Sequence, residues 1–285
     1  MSYNIRLLID CPDHRGLVAA VSGFIALHNG NILSADQFVS EPEGGRFFLR
    51  MEIEGQGFGL GRTDFDAAFT PLARQHSMSY RASFTDRPKR LAILVSKYGH
   101  CLIDLLWRHE ERELDAEIPL VISNHPDLGP KVEAHGIPFV HLPVTKGRKA
   151  EQEAQVEAML REHGIDVVVL ARYMQILSPT FLESCRRSII NIHHSFLPAF
   201  VGASPYRQAH ERGVKVIGAT AHYVTAELDA GPIIHQEVAH VTHRDGVDDL
   251  IRLGREVERR VLARAVRWHL EDRVLVDRGR TVVFE

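Results

Sequence analysis

The sequence has 285 residues, enough for two domains or one large α/β domain, and its 45% apolar and 25% charged content is that of an ordinary globular protein. A formal net charge of -3 leaves no basic footprint, so nucleic acid is not expected as a partner. The first twenty residues hold Asn4, Arg6, Asp10 and Asp13, and no apolar run nears the roughly 18 residues of a membrane span; neither a signal peptide nor a membrane partner is expected.

Tyr3 to Asp10 (YNIRLLID) alternates like a strand, and Gly16 to His28 has helical period, closed by Asn29 and Gly30. Asn31 to Ser40 and Arg46 to Glu54 read as two strands joined by the turn-rich EPEGG, a hairpin signal. Asp64 to His76 is helical again and Met78 to Phe84 is a last strand, which completes a βαββαβ order, the split βαβ arrangement. Thr85 to Arg90 (TDRPKR) is short, charged and broken by Pro88, so residues 86–90 are expected to link a domain of residues 1–85 to one of residues 91–285.

Beyond the linker the pattern changes. Leu91 to Val95, Pro119 to Ser123, Phe139 to Leu142 and Asp166 to Leu170 are nearly unbroken apolar runs, with helical stretches such as Ala150 to Glu162 between them. That pattern predicts a doubly wound, mostly parallel sheet covered on both faces. Val214 to Thr225 and Ile233 to Val241 have no helix between them and are expected to pair antiparallel; a long helix from about Val247 to Glu271 and a hairpin around Asp277-Arg278-Gly279 end the chain. Arginines from Arg255 to Arg267 alternate with Glu256 and Glu258 and read as a solvated helix face. Cys11, Cys101 and Cys185 are odd in number, scattered and outside any CxxC spacing, which predicts reduced thiols in a cytoplasmic protein.

The chemistry concentrates between Asn191 and Pro232. The strand within RSIINIHHSFLP (Arg187 to Pro198) should end near His193, at the carboxyl end of the sheet, where α/β folds bind ligands. Asn191 and His193 are two apart and share a face, which sets an amide donor beside an imidazole. Acyl transfer or hydrolysis needs such a pair, a donor for the developing oxyanion with an acid or base next to it. Ser204, Pro205 and Gly213 mark a short helix just past the site, as N-cap, first turn and stop. In LDAGP, Asp229 is held by a Gly-Pro loop, positioned to orient His193 or to hold an attacking water, and His222 and Thr225 lie on a neighbouring strand. His193 and His194 are adjacent and so face opposite ways, and no HxH, HExxH or Cys partner follows; no metal is expected.

Taken as one block, NIHHSFLPAFVGASPYRQAHERGVKVIGATAHYVTAELDAGPII resembles the signature of the folate-dependent formyl transferases and hydrolases. The double histidine and the PAF-x-GA-x-PY run resemble their formyltetrahydrofolate deformylase branch, which also carries an N-terminal ACT domain; CPDHRGLVAAVSGF resembles the first loop and helix of such domains. The resemblance implies a ferredoxin-like ACT domain followed by a formyltransferase-type sheet, and hydrolysis of 10-formyltetrahydrofolate to formate and tetrahydrofolate within one-carbon and purine metabolism. It makes Asn191, His193 and Asp229 the catalytic trio and sets the folate pterin against the main chain of Met174, Gln175, Ile176 and Leu177, with His222 and Thr225 nearby. Gln175 stands where the family often has Arg, which leaves main-chain contacts intact. Transformylases of this fold cradle a substrate phosphate in a Gly/Asn/Ser-rich loop after the first strand; Ser96 to Leu106 (SKYGHCLIDLL) is a poor nest of that kind, which points to water as acceptor. No cofactor is expected. The ACT resemblance implies a small amino-acid effector near Asp13, Gly16, Asn29 and Asn31, or a purely architectural role, and a homodimer or homotetramer.

Overall fold

Residues 3–197 and 205–285 are described in a computed structural model. The expected Ser204 cap and the PAF run fall in residues 198–204, outside the described residues. Two compact units divide the chain.

In the first unit, alternation along β1 (Asn4–Pro12) decides which side chains meet helices. Ile5, Leu7, Ile9 and Cys11 point to one face and pack with Leu17, Val21 and Ile25 of α1 (Leu17–Leu27) and Phe65 and Phe69 of α2 (Arg62–Gln75). β2 (Ile32–Val39), β3 (Arg46–Glu54) and β4 (Ser79–Phe84) complete an antiparallel sheet of order β2-β3-β1-β4, the expected βαββαβ fold.

The second unit is built on a seven-stranded sheet of order β11-β10-β9-β8-β5-β6-β7. Its parallel part comprises β5 (Lys89–Val95), β6 (Ala116–Ser123), β7 (Phe139–His141), β8 (Val167–Leu170) and β9 (Ser188–His193). β10 (Val216–Tyr223) runs antiparallel to β9 on one side and to β11 (Ile233–His240) on the other. One face packs Leu94, Ile122 and Val168 against Val156 and Leu160 of α5 (Lys149–Glu162) and Phe181 of α6 (Pro179–Cys185). α3 (His100–Glu110), α4 (Gly129–Glu133), α7 (Pro205–Arg212) and α8 (Val247–Leu270) are the remaining helices, and α8 packs on β9, β10, β11 and α3. Because the chain winds outward from β5 to β7 and then returns to β8, the order reverses between β5 and β8, and the crevice at their carboxyl ends is the natural ligand position.

Two expected boundaries move. Lys89 and Arg90, read as linker, begin β5: the Lys89 ammonium donates to the carbonyls of His269 (3.2 Å) and Leu270 (2.9 Å), and Arg90 Nε to that of His163 (2.7 Å). Carbonyls at helix ends take the charges that made the segment look solvated. The chain's end also departs from the 91–285 domain, since 272–277 and 282–285 belong to the first unit. Leu275 of β12 (Val274–Asp277) and Val282 of β13 (Arg280–Val283), with Phe284, cover Leu8 and Phe48 on the sheet face that the helices leave open. Among the described residues no helix is long and apolar enough to cross a membrane.

Candidate active site

β9 delivers Asn191 and His193 to the carboxyl end of the sheet on one face, and antiparallel pairing sets His222 of β10 directly across from Asn191. The loop between β10 and β11 brings Asp229 to both. Its Oδ2 lies 3.2 Å from His193 Nδ1 and its Oδ1 3.5 Å from His222 Nε2, while Asn191 Nδ2 lies 3.2 Å from His222 Nε2.

This loop is held by its backbone. Asp229 has φ 54°, in the left-handed region that Asp tolerates better than most residues. Gly231 passes so close to Tyr223 that a Cβ would sit 1.7 Å from that residue's carbonyl oxygen, so only glycine fits. A hydrogen bond from the Tyr223 N–H to the Pro232 carbonyl (2.9 Å) closes the turn.

The hydrogen-bond directions follow from what each group can do. His222 Nδ1 is 2.9 Å from the Tyr223 carbonyl, which only accepts, so Nδ1 carries a proton. In the neutral ring Nε2 then accepts from the Asn191 amide, whose second N–H remains for a ligand. His193 Nδ1 donates to Asp229, which turns His193 Nε2 away from the carboxylate. The hydrogen bond from His193 is the largest influence that holds the Asp229 carboxyl well below the usual carboxylate range despite partial burial.

These groups line a cleft of about 730 Å³ with Met174, Gln175, Ile176, Leu177 and Thr225. Met174 (53% exposed) and Ile176 (62%) offer apolar side chains at its rim. The main chain there is partly spoken for: the Met174 N–H donates to Ser96 Oγ (3.0 Å), and the Ile176 carbonyl accepts from Lys149. His222, assigned above to the folate, also lines the cleft, but it is 2% exposed and both ring nitrogens face protein partners. It therefore orients Asn191, and its ring lies beside Asp229.

Two sequence expectations are overturned nearby. His193 and His194 do not face opposite ways: β9 ends at His193, and the two rings stack at 5.1 Å. Burial, then the Arg172 and His193 charges, push the His194 imidazole down to about 4. Glu258 is not on a solvated face. It is 1% exposed and receives Tyr206 OH and His100 Nε2, each at 2.8 Å, with Arg172 Nε at 3.4 Å. Its spacing from Leu250, Gly254 and Leu262, all buried at four-residue intervals, was the available signal. Burial pushes this carboxyl up, but the His100 hydrogen bond and the Arg172 charge outweigh it and keep it ionised. His100, Cys101 and Glu258 also bring metal-ligand atoms within 4.8 Å of one another, yet Glu258 is already paired and burial drives the Cys101 thiol well up, away from the thiolate a metal needs. Asp13 and Gly16 lie before α1 and Asn29 and Asn31 after it, roughly 16 Å apart over eleven residues. The Asn29 and Asn31 amides donate to the Gly57 carbonyl (3.0 Å) and to Glu54 (3.1 Å).

Residues 89–266 match the formyl transferase family, and residues 5–57 match the ACT domain family. A formyltetrahydrofolate deformylase of Synechocystis is 54% identical over 98% of this chain and 97% of its own. The chain belongs to the formyltetrahydrofolate deformylase family. The crystal structure of a formyltetrahydrofolate deformylase from Pseudomonas syringae pv. tomato superposes on this family member with a TM-score of 0.95 at 51% identity, covering 99% of this chain and 95% of that one. A glycinamide ribonucleotide transformylase from Symbiobacterium toebii aligns with a TM-score of 0.66 and 33% identity over 70% of this chain and 95% of its own. The deformylase family and the transformylase thus share this fold.

Proposed function

We propose that this chain hydrolyses 10-formyltetrahydrofolate to formate and tetrahydrofolate, with Asn191, His193 and Asp229 as catalytic residues. The observation that carries the reading is an ionised Asp229 holding His193 while His222 holds the Asn191 amide, all at the wall of one cleft. Water positioned by Asp229 and His193 attacks the formyl carbon and gives up a proton to this pair. The second N–H of Asn191 receives the oxyanion. Collapse breaks the bond from carbon to N10, N10 takes a proton, and formate leaves with one proton released to solvent. A donor set before the charge develops costs no reorganisation during reaction, which is why such groups accelerate acyl transfer.

The pterin of the folate is a flat heterocycle suited to the apolar rim at Met174 and Ile176, with polar contacts from the main chain at Gln175 and Leu177 and from Thr225. An N-formyl group needs acid/base and electrostatic help only, so no cofactor is involved, and full activity after thorough chelation is the expected outcome. Acceptor-free turnover with equal amounts of tetrahydrofolate and formate is predicted. Turnover only on addition of an amine would make the chain a transferase instead.

The ACT-type unit supports a small amino acid as effector and association into a homodimer or homotetramer in the cytoplasm. β2 is an edge strand that exposes Leu33 (51%) and Phe38 (48%), a surface suited to pairing. Calorimetry with glycine and methionine should give heat together with a change in hydrolysis rate; neither would leave this unit an architectural role.

A further inference from the structure

Two cavities lie on either side of the buried Glu258. One is the cleft, which Arg172 and His194 border; the other, about 540 Å³, has Lys97, Lys131 and Arg259 against a single carboxylate, Asp104, with His100 beside them. A chain of contacts runs from one to the other. His100, on the outer cavity, hydrogen-bonds Glu258, and Glu258 ion-pairs with Arg172, on the cleft. Tyr206 donates to the second Glu258 oxygen, and it reaches that oxygen only because residue 254 is glycine: a Cβ there would lie 2.1 Å from the Tyr206 hydroxyl. The Arg172 guanidinium lies 5.6 Å above the Tyr98 ring, and its backbone is in the left-handed region (φ 63°). A non-glycine residue keeps that conformation only where its surroundings over-determine it.

The outer cavity is cationic and opens at the start of α3, at the carboxyl end of β5, where the strand order reverses. An anionic amine drawn there would meet His100, backed by the buried Glu258, before it could approach the formyl carbon. We propose that Arg172, Glu258, His100 and Tyr206 form a partition that keeps amine acceptors out of the cleft and reserves the formyl group for water. The inference rests on the hydrolase reading above and adds the residues that set acceptor specificity. These are positioning residues, since none of them touches the reacting carbon.

The step that the partition prevents is formyl transfer. An amine nitrogen would bond to the formyl carbon, the bond from carbon to N10 would break, and the proton lost by the amine would pass to N10.

The test follows tetrahydrofolate, formate and formyl amide together, with 10-formyltetrahydrofolate and either glycinamide or glycinamide ribonucleotide as added amine. Wild type should release formate and tetrahydrofolate one to one, with no formyl amide. His100→Ala and Tyr206→Phe should raise the share of formyl amide at least tenfold above the wild-type background while still hydrolysing. Should His100→Ala fail to fold, Tyr206→Phe, which removes one hydroxyl and keeps the ring, carries the test by itself. The partition is overturned if wild type makes formyl amide, or if hydrolysing variants transfer no more than wild type. No tetrahydrofolate from wild type under any condition would sink the hydrolase reading itself, a distinct outcome.

Discussion

The His194 imidazole is driven down to about 4 by burial and by the Arg172 and His193 charges. The unfolded chain therefore takes up a proton near the ordinary histidine value while the folded chain does not. Stability from this residue is complete at pH 7 and falls as pH drops from about 6.5 towards 4, by roughly 3 kcal/mol at most. Urea midpoints of wild type and His194→Gln, compared at pH 7 and 4.5, should show the wild type losing more; parallel losses would contradict the assignment. Asn191, His193 and Asp229 were legible in the sequence because period-2 spacing and a Gly-Pro loop both constrain where side chains go. The part of His222 was not, because it depends on the register of β10 against β9, which the sequence of neither strand contains. The side on which His194 lies is not legible for a related reason: strand alternation stops at His193, so period 2 does not extend to the next residue.

At the scale of elements, the β10–β11 loop is the most exacting piece. Gly231→Ala would force a methyl carbon to within 1.7 Å of a carbonyl oxygen, and that oxygen belongs to backbone that pairs in the sheet. The loop must move, and Asp229 moves with it. Misplacement by an ångström costs about 10²-fold in rate, so kcat should fall by at least that much, with a stability loss beyond the about 1 kcal/mol typical of a point change. Near-normal kcat and melting temperature would show that the loop is not held as described. The apolar runs of β5, β6 and β8 were readable because both sheet faces are covered, so the middle positions of each strand are apolar. α6 went unread although Ser178 and Pro179 mark its start, the serine hydroxyl accepting from the Phe181 N–H at 3.1 Å. The arginines around Glu258 hid a buried carboxylate on α8, because charge density masked the four-residue series that leads inward.

Over the whole molecule, the two folds were legible and their limits were not. Alternation along β1 and the helical periods of α1 and α2 suffice for the first unit, yet nothing local in the last residues says that Phe284 covers Leu8 and Phe48. That contact joins the two ends of the chain, and no sequence pattern reports pairings so distant. The function likewise depends on the assembly of β9, β10 and the loop after it, rather than on any one motif. Single-turnover hydrolysis of 10-formyltetrahydrofolate by Asn191→Ala and Asp229→Asn, beside wild type and with no amine present, tests this most directly. Both variants should fold with wild-type melting behaviour to within a few degrees. Asn191→Ala should release formate about 10²–10³-fold more slowly, and Asp229→Asn at least about 10²-fold more slowly. Formate release at the wild-type rate by either variant would contradict the account.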